Sequence, residues 1–293
     1  MNFGKSIRLY LQDGTVSGLK FGEVVNQTIQ SVSCPRKRLG ELAKVPEAQR
    51  PGVYFLFEKL EGKQKPVVYI GEAENVFIRL QDHLKKKDFW NEVVFFVSKD
   101  DNLTKAHVKF LESRILEMAQ SADRYELENS QASKASVLPR ADEDAMQEFA
   151  LYLKLLLGVL GYKGLEPLIP EQKPLAVTTN SAEKPEQQVL YCNTNGVKAQ
   201  AIQTDEGFVV LKGSEARITE KESLTEVNQE HRRQLVDDAL LNTNDGKYIF
   251  QKDVLFSSPS AAAAIVAGAN RNGLRSWKNE AGKSLKEMEA ERV

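Results

Sequence analysis

Residues 51–83 constrain the fold of this chain more than any other stretch. They hold two short apolar runs that each carry a tyrosine, Gly52-Val53-Tyr54 and Tyr69-Ile70-Gly71. Short runs of β-branched and aromatic residues are typical of strands, and the Gly- and Lys-rich residues between them are typical of a hairpin connection. Apolar residues then recur with a helical period toward His83. The stretch therefore predicts two paired strands followed at once by a helix.

The alternation of strands and helices continues beyond His83. A further apolar run predicts a third strand, and a second helical period follows it. We predict one unit over residues 49–140, with a helix over 75–87, a strand over 92–97, and a helix over 102–120 that has Asp101 or Asn102 as its N-cap.

The flanking sequence predicts further parts of an α+β chain. Two alternating apolar-polar runs near the N-terminus are joined by Asp13-Gly14, which indicates a β-hairpin. Residues 142–163 have the wide apolar face of a helix that packs on the preceding unit or on a second copy of the chain. The predicted domains are a β-hairpin and helix extension (1–48), a central domain (49–140), a packing helix (141–163), a flexible linker rich in Pro, Gln, Glu and Lys (164–190) and a C-terminal α+β domain (191–293).

Composition limits the function classes that need to be considered. The formal net charge of the 293 residues is −1, so any contact with nucleic acid must come from local patches. Cys34 and Cys192 lie far apart without a Cys-x-x-Cys partner, which supports neither a disulfide scaffold nor a thiolate zinc site. No secretory signal is visible, and the most apolar run, residues 151–162, is too short for a bilayer helix. We therefore expect a cytoplasmic protein without membrane contacts.

The predicted helices place chemically active side chains together. Arg79 and His83 are four residues apart, so they are neighbours on one helix face. With the two tyrosines they can orient water, bind an anion and move a proton, which points to chemistry on phosphate. On the second helix Glu112 interrupts an apolar stripe. A partly buried carboxylate is satisfied by arginine, by hydrogen bonds or by a metal ion, and Mg²⁺ usually keeps several waters around one or two carboxylates.

Residues 50–131 resemble the catalytic domain of the GIY-YIG nuclease family. The first element is present as Gly-Val-Tyr and the second as an intact Tyr-Ile-Gly. Six positions follow the order of the family: Tyr54, Tyr69, Arg79, His83, Glu112 and Asn129.

The resemblance implies a small three-stranded antiparallel sheet flanked by helices, and one divalent metal ion at the site. Glu112 would bind Mg²⁺ or Mn²⁺, and Arg79 would stabilise negative charge at phosphorus. One of Tyr54 and Tyr69 would position or deprotonate the attacking water, helped by His83. Because a tyrosine base near pH 7 needs its pKa lowered by roughly three units, the tyrosine could instead only orient a water that the metal activates.

Other residues near the predicted site are open to two interpretations. Asn129 would support the phosphate end of the site, as the resemblance implies. Glu72 brings a negative charge close to where phosphate should approach, or it caps the helix start. Two basic groups are candidate nucleic-acid contacts, and a solvated helix start or end is the other interpretation of each: Arg36, Lys37 and Arg38, and Lys85, Lys86 and Lys87.

The C-terminal residues resemble the domain of unknown function that often follows GIY-YIG nucleases. The helix Ser258-Pro259 to Gly268 and the later Trp277 also resemble small modules attached to restriction and DNA-methylation enzymes. This suggests target recognition, and a domain for packing or dimerisation is the other interpretation.

The resemblance predicts a metal-dependent endonuclease that hydrolyses DNA phosphodiester bonds in restriction, defence or repair. The alternative is a catalytically weak or inactive module on the same fold that binds nucleic acid or a protein partner. A homodimer through the 142–163 helix is a further expectation.

Overall fold

The computed structural model describes residues 3–58, 65–129, 136–169, 188–194 and 196–291. The chain divides into two compact units, Met1–Pro167 and Leu168–Val293. Among these residues, the first unit has two buried apolar cores and the second unit has one.

In its described residues, the first unit combines one sheet with three α-helices. Its strands and helices are β1 (Ile7–Leu11), β2 (Lys20–Val24), β3 (Ile29–Pro35), two 3₁₀ helices (Arg36–Lys44 and Pro46–Gln49), β4 (Gly52–Phe57), β5 (Val67–Ala73), α1 (Val76–Lys86), β6 (Glu92–Ser98), α2 (Lys105–Ala122), β7 (Glu126–Leu127) and α3 (Arg140–Val159).

The sheet has the strand order β1-β2-β3-β6-β4-β5-β7. All pairs are antiparallel except β5 and β7. The three strands predicted for the central domain are neighbours in the order β6-β4-β5, and β3 extends the sheet by pairing with β6 from Ile29 opposite Ser98 to Pro35 opposite Glu92. The α+β class is confirmed, and the sheet is larger than the three strands expected. β3 is buried along nearly its whole length, which favours a central place between two neighbours.

Alternate residues of β4 point to two separate cores. Val53, Phe55 and Phe57 lie in the core covered by α2 and α3, and Tyr54 and Leu56 lie in the core on the α1 side. This alternation follows from the two-residue repeat of a strand. It puts the tyrosine of the Gly-Val-Tyr element under α1.

The helix starts differ from the prediction in which residue caps them. Asn75 caps α1 by accepting from the Ile78 backbone N–H at 3.0 Å, so Glu72 is a strand residue and does not cap this helix. Thr104, rather than Asp101 or Asn102, caps α2, and His107 completes a capping box. Leu103, the residue before this cap, is buried. The helix therefore starts at Lys105, later than predicted.

α3 packs inside the first unit. Its buried residues include Phe149, Leu153 and Leu156, and they join the core on the α2 side of the sheet. Leu151 and Val159 are exposed. A homodimer through this helix stays a prediction, and those two exposed residues are the apolar side chains left to carry it.

The first unit extends past the predicted start of the linker. The Tyr162 ring stacks on Phe57 with centroids 3.8 Å apart, and its hydroxyl donates to Glu92 at 2.8 Å. Leu165 is buried in the same core. Residues 170–187, which form most of the predicted linker, lie outside the described residues.

The second unit contains a four-stranded sheet in the order β14-β10-β9-β8 and a three-stranded sheet in the order β11-β13-β12. Its elements are β8 (Val189–Thr194), β9 (Val197–Thr204), β10 (Gly207–Val210), β11 (Glu215–Arg217), α4 (Glu226–Asp237), β12 (Leu241–Asn244), β13 (Lys247–Phe250), β14 (Val254–Phe256), α5 (Pro259–Ala267), α6 (Gly273–Ser276) and α7 (Leu285–Ala290).

α5 lies at the centre of the second unit. The predicted start and stop are confirmed, because Ser258 caps the helix and Gly268 ends it in the left-handed region. Trp277 is fully buried, and its indole N–H donates to the Pro259 carbonyl at 2.9 Å. β13 and β14 follow each other closely along the chain but belong to different sheets.

Both cysteines are buried in these cores. Burial raises the pKa of the Cys34 thiol to about 12 and that of Cys192 to about 11. Among the described residues, no helix has the length and apolar composition needed to cross a membrane.

Candidate active site

Tyr54 lies at the centre of a hydrogen-bonded group on the α1 side of the sheet. Its side chain is fully buried, and its hydroxyl oxygen is 2.7 Å from His83 Nε2. Arg79 Nε donates to the same oxygen at 3.3 Å. Arg79 and His83 reach Tyr54 together because they are one turn apart on α1. Three of the six predicted residues are therefore in direct contact.

The tyrosine and the histidine of this group are both neutral near pH 7. Burial, and then the positive charges of Arg79 and Lys87, lower the pKa of His83 to about 4. Burial, and then Tyr69, raise the pKa of Tyr54 above its usual range. Because a guanidinium can only donate, the Tyr54 oxygen accepts from Arg79, and its own hydrogen is left to donate to His83 Nε2.

Tyr69 covers this group from the neighbouring strand. Its ring stacks on that of Tyr54, with centroids 6.1 Å apart and an angle of 23° between the planes. The His83 ring is 4.9 Å from it. Lys87 Nζ lies 4.6 Å from the Tyr69 ring centroid and pairs with Glu128 at 2.5 Å. Tyr69 is half-buried, so of the two tyrosines it is the one that solvent reaches.

Gly71 leaves the space into which both tyrosines fit. A Cβ atom at this position would lie 2.5 Å from the Tyr54 hydroxyl and 2.8 Å from Tyr69 Cε1. Such distances are far inside van der Waals contact. The glycine of the Tyr-Ile-Gly element is therefore needed for close packing on the backbone of β5.

Asn129 binds the backbone of β5 at its outer edge. Its side-chain oxygen accepts from the Ile70 N–H at 3.0 Å, and its amide nitrogen donates to the Ile70 carbonyl at 2.5 Å. β7 pairs only with Val67 and Val68. The Asn129 side chain thus makes the two hydrogen bonds to Ile70 that a residue of a neighbouring strand would otherwise make.

Glu112 lies on the other side of β5 from the tyrosines. α2, which carries it, packs on the face formed by Val68 and Ile70, whereas Tyr69 faces α1. Glu112 is only 7% exposed. Glu72 is on the α2 side of β5 as well, and burial together with the Glu112 charge raises its pKa. Because β5 lies between them, Glu112 and the tyrosines could contact the same ligand only if that ligand reached around the outer edge of β5.

The resemblance implies a divalent ion at Glu112, and Glu72 is a second carboxylate on the same side of β5. Their charges repel each other in partly desolvated surroundings, and a hard cation would relieve that repulsion. In the part of the chain that the structure describes, no group of three or more His, Cys, Asp or Glu side chains could hold a metal. Mg²⁺ and similar ions often bind through one or two carboxylates and several waters.

Arg36 joins the two predicted basic groups at the end of α1. Its guanidinium donates to the Lys87 carbonyl at 2.7 Å and to the Leu84 carbonyl at 3.1 Å. It also stacks 4.5 Å from the centroid of the Trp90 ring. These contacts make Arg36 the C-terminal cap of α1, and a nucleic-acid contact by it stays a prediction.

The other basic residues differ in how strongly they are paired. Arg38 binds Asp13 and Glu41 through ion pairs. Lys37, Lys85 and Lys86 are exposed, and because of Arg36 they lie near one another. We call these three exposed lysines at the C-terminal end of α1 the basic rim.

The structure brings four predicted residues together, leaves Asn129 at the edge of β5 and puts Glu112 on the opposite side of this strand. Tyr54, Tyr69, Arg79 and His83 form one cluster, and Asn129 and Glu112 approach β5 from outside it. The clearance at Gly71 and the place of Lys87 over Tyr69 were not predicted. A signal for Lys87 exists, because it is four residues after His83 and eight after Arg79 on the same helix face.

One comparison with known proteins gives a match, and it concerns the second unit. The family model described as Domain of unknown function (DUF4357) matches residues 190–289. No curated protein and no solved structure matches the chain significantly. The match agrees with the predicted resemblance of the C-terminal residues to a domain of unknown function. The resemblance of residues 50–131 to GIY-YIG nucleases stays a prediction.

Proposed function

We propose that this chain is a metal-dependent endonuclease that hydrolyses phosphodiester bonds of DNA by attack of water. The observation that carries the proposal is the contact of Arg79, Tyr54 and His83 beneath Tyr69. The side chains come from two neighbouring strands and a helix, and they meet where Gly71 leaves room on β5. In this proposal β6, β4 and β5 correspond to the three-stranded sheet of the GIY-YIG family.

We assign different tasks to the two tyrosines. Tyr54 has no exposed surface and holds both Arg79 and His83, so it is a positioning residue. Tyr69 is half-buried beside them, so its hydroxyl is the one available to orient the attacking water. The neutral His83 ring accepts the Tyr54 hydrogen and keeps the tyrosine in one orientation.

Arg79 supplies the positive charge at the reacting phosphate. It is exposed, and its bond from Nε to Tyr54 fixes the plane of the guanidinium. Stabilisation of developing charge by a group already in place is commonly the largest contribution to catalysis of this kind. The basic rim formed by Lys37, Lys85 and Lys86 would contact the DNA backbone next to the site.

Glu112, with Glu72 beside it, would hold one Mg²⁺ or Mn²⁺ ion. When bound, such an ion lowers the pKa of a coordinated water and neutralises charge on the phosphate. Asn129 keeps the edge of β5 in place between the tyrosines and these carboxylates.

The test is cleavage of plasmid and oligonucleotide DNA with Mg²⁺ or Mn²⁺. Glu112→Ala and Arg79→Ala should each lower the cleavage rate by at least about a hundredfold, because each removes a charge that acts on the transition state. Glu117→Ala is the matched control for Glu112→Ala, since it removes an exposed carboxylate from the same helix. Unchanged cleavage by either of the first two variants would refute the proposed mechanism.

A second candidate function is binding of nucleic acid, or of a protein partner, without turnover on the same fold. The charge of Glu72 close to Glu112 favours it, because two carboxylates disfavour a phosphate unless a cation is present. Retained DNA binding without cleavage of double-stranded, single-stranded, branched or methylated DNA would support this alternative.

A further inference from the structure

We propose that a polar groove on the second unit binds a segment of the DNA on which the first unit acts. The groove has a volume of about 550 Å³. Its lining comes from α4, the start of α5 and the loop between α5 and α6, and includes Asn228, Ser260, Ala261, Asn270, Arg271 and Asn272. The choice of DNA as the ligand rests on the proposed nuclease function.

The segment that carries α5 and the loop beside the groove is basic, which favours an anionic ligand on that side. From Val254 to Asn279 the sequence contains Arg271, Arg275 and Lys278 but no aspartate or glutamate. Arg271 and Arg275 are exposed, and among the described residues neither is in an ion pair. By contrast, Arg232 and Arg233 on α4 pair with Glu220 at 3.0 Å and Glu230 at 2.5 Å.

Hydrogen bonds hold the loop in one conformation. Arg271 Nη2 donates to Thr194 Oγ1 at 3.1 Å, and the Gly273 N–H donates to Ser260 Oγ at 3.0 Å. A Cβ atom at Gly273 would lie 2.2 Å from the Pro259 carbonyl carbon, so the loop packs directly on the start of α5. A loop fixed in this way loses little conformational entropy when it binds a ligand.

The other groups at the groove distinguish a nucleic acid from a simple anion. Within the described part of the chain, no hydrogen bond involves the side chains of Asn228 and Asn270. Asparagine amides and arginine guanidinium groups are the side chains that pair with base edges, and arginine also binds phosphate. The small side chain of Ala261 lets a base or sugar approach α5 closely. Together these groups suit a nucleotide unit better than an isolated phosphate ion.

The experiment measures DNA binding by the full chain carrying Glu112→Ala, so that cleavage does not interfere. Fluorescence anisotropy with short fluorescein-labelled DNA, single-stranded and duplex, would give Kd over a range of salt concentrations. The test variant is Arg271→Ala with Arg275→Ala. The matched control is Arg233→Ala with Lys212→Ala, which removes the same charge from exposed residues of the same unit away from the groove.

We expect Arg271→Ala with Arg275→Ala to raise Kd by about tenfold or more. The dependence of log Kd on log salt concentration should become shallower, by the amount expected for the loss of about two phosphate contacts. The control should change Kd by less than about twofold. Asn270→Ala should weaken binding without changing the salt slope, because an amide displaces no counterion. Equal effects of the two double variants, or no effect of either, would overturn the proposal.

Two further outcomes separate this inference from the nuclease proposal. If the chain binds DNA through Arg271 and Arg275 but cleaves none of the substrates, the groove is supported and the proposed function fails. If the chain cleaves DNA and the groove variants bind it normally, the groove fails and the nuclease stands. Tighter binding of an RNA of the same sequence through the same arginines would overturn DNA as the ligand.

Discussion

Gly71 determines how closely the two tyrosines approach strand β5. Its missing side chain gives the Tyr54 hydroxyl and the Tyr69 ring their places on the backbone. In the group around Tyr54, His83 is neutral near pH 7, and the positive charge of Arg79 is held in place by its hydrogen bond to Tyr54. Single substitutions at these positions therefore test geometry and charge separately.

Gly71→Ala should lower DNA cleavage by at least about tenfold and destabilise the first unit by about 1–3 kcal/mol, because both tyrosines must move away from an added methyl group. Gly40→Ala is the control, because a Cβ atom there meets no atom within 4 Å. It should be neutral or stabilise by up to about 1 kcal/mol. Cleavage assays and thermal unfolding would show the difference, and equal behaviour of the two variants would contradict this packing.

His83 should make stability depend on pH between its folded and unfolded pKa values. The folded pKa of about 4 is below the ordinary value of 6.5, so the unfolded state binds more protons in this interval. Stability is therefore unaffected by His83 above about pH 6.5, and it falls as the pH is lowered toward 4, by up to about 3 kcal/mol.

The measurement compares urea unfolding of the natural chain and His83→Gln from about pH 7 down to about pH 4.5. The variant should lose less stability over this range, by about 2 kcal/mol. Parallel pH profiles for the two proteins would show that His83 is not neutral in the folded state.

At the scale of elements, β5 is an edge strand held by a side chain over part of its length. Asn129 makes with Ile70 the two hydrogen bonds that a neighbouring strand would make. Unpaired strand edges are prone to local opening. The position of Tyr69 and Gly71 therefore depends on a residue far along the chain.

Asn129→Ala should destabilise the edge of β5 by about 1–3 kcal/mol, because both polar groups of Ile70 lose their partner. Hydrogen exchange at the Ile70 amide should become faster while exchange in the central strand β4 stays slow. Cleavage should fall in parallel with this opening. Unchanged exchange at Ile70 would show that Asn129 does not hold the edge.

Local pattern was enough to predict the elements around the tyrosines. The short β-branched and aromatic runs that become β4 and β5 and the helical period of α1 are all properties of neighbouring residues. The predicted cap of α2 was wrong because Asp101, Asn102 and Thr104 are all good capping residues, so residue type does not distinguish them. Burial of Leu103 and the reciprocal bond of His107 favour Thr104.

Pairings between distant segments could not be read from the sequence in this way. β12 is a short strand of mostly exposed polar residues, and only its pairing with β13 makes it a strand. β3 joins β6 across residues that belong to two predicted domains. The placement of Glu112 and Glu72 on the opposite side of β5 from the tyrosines likewise depends on how α2 crosses the sheet.

The whole molecule consists of two units that each bury their own core. The first unit has its end after Leu165, where Tyr162 and Leu165 are still packed on the sheet. The second unit is the part matched by the domain of unknown function. Two separate cores allow the units to fold independently.

A fragment of residues 1–167 and a fragment of residues 188–293 should each unfold cooperatively on their own. A fragment that ends at residue 159 should be less stable than 1–167 by at least about 2 kcal/mol, because it lacks the Tyr162 ring on Phe57 and the buried Leu165. Circular dichroism during heating would measure this. Equal melting of the two N-terminal fragments would place the boundary earlier than Leu165.

Because both natural cysteines are buried, dyes can be attached at introduced cysteines without first replacing the natural ones. Thiols with a pKa of about 12 and 11 and no access to solvent react slowly with maleimides. A cysteine introduced at an exposed position in each unit, for instance Lys44→Cys and Lys212→Cys, would thus take up a dye selectively. Energy transfer between two such dyes would follow the separation of the units while DNA is added.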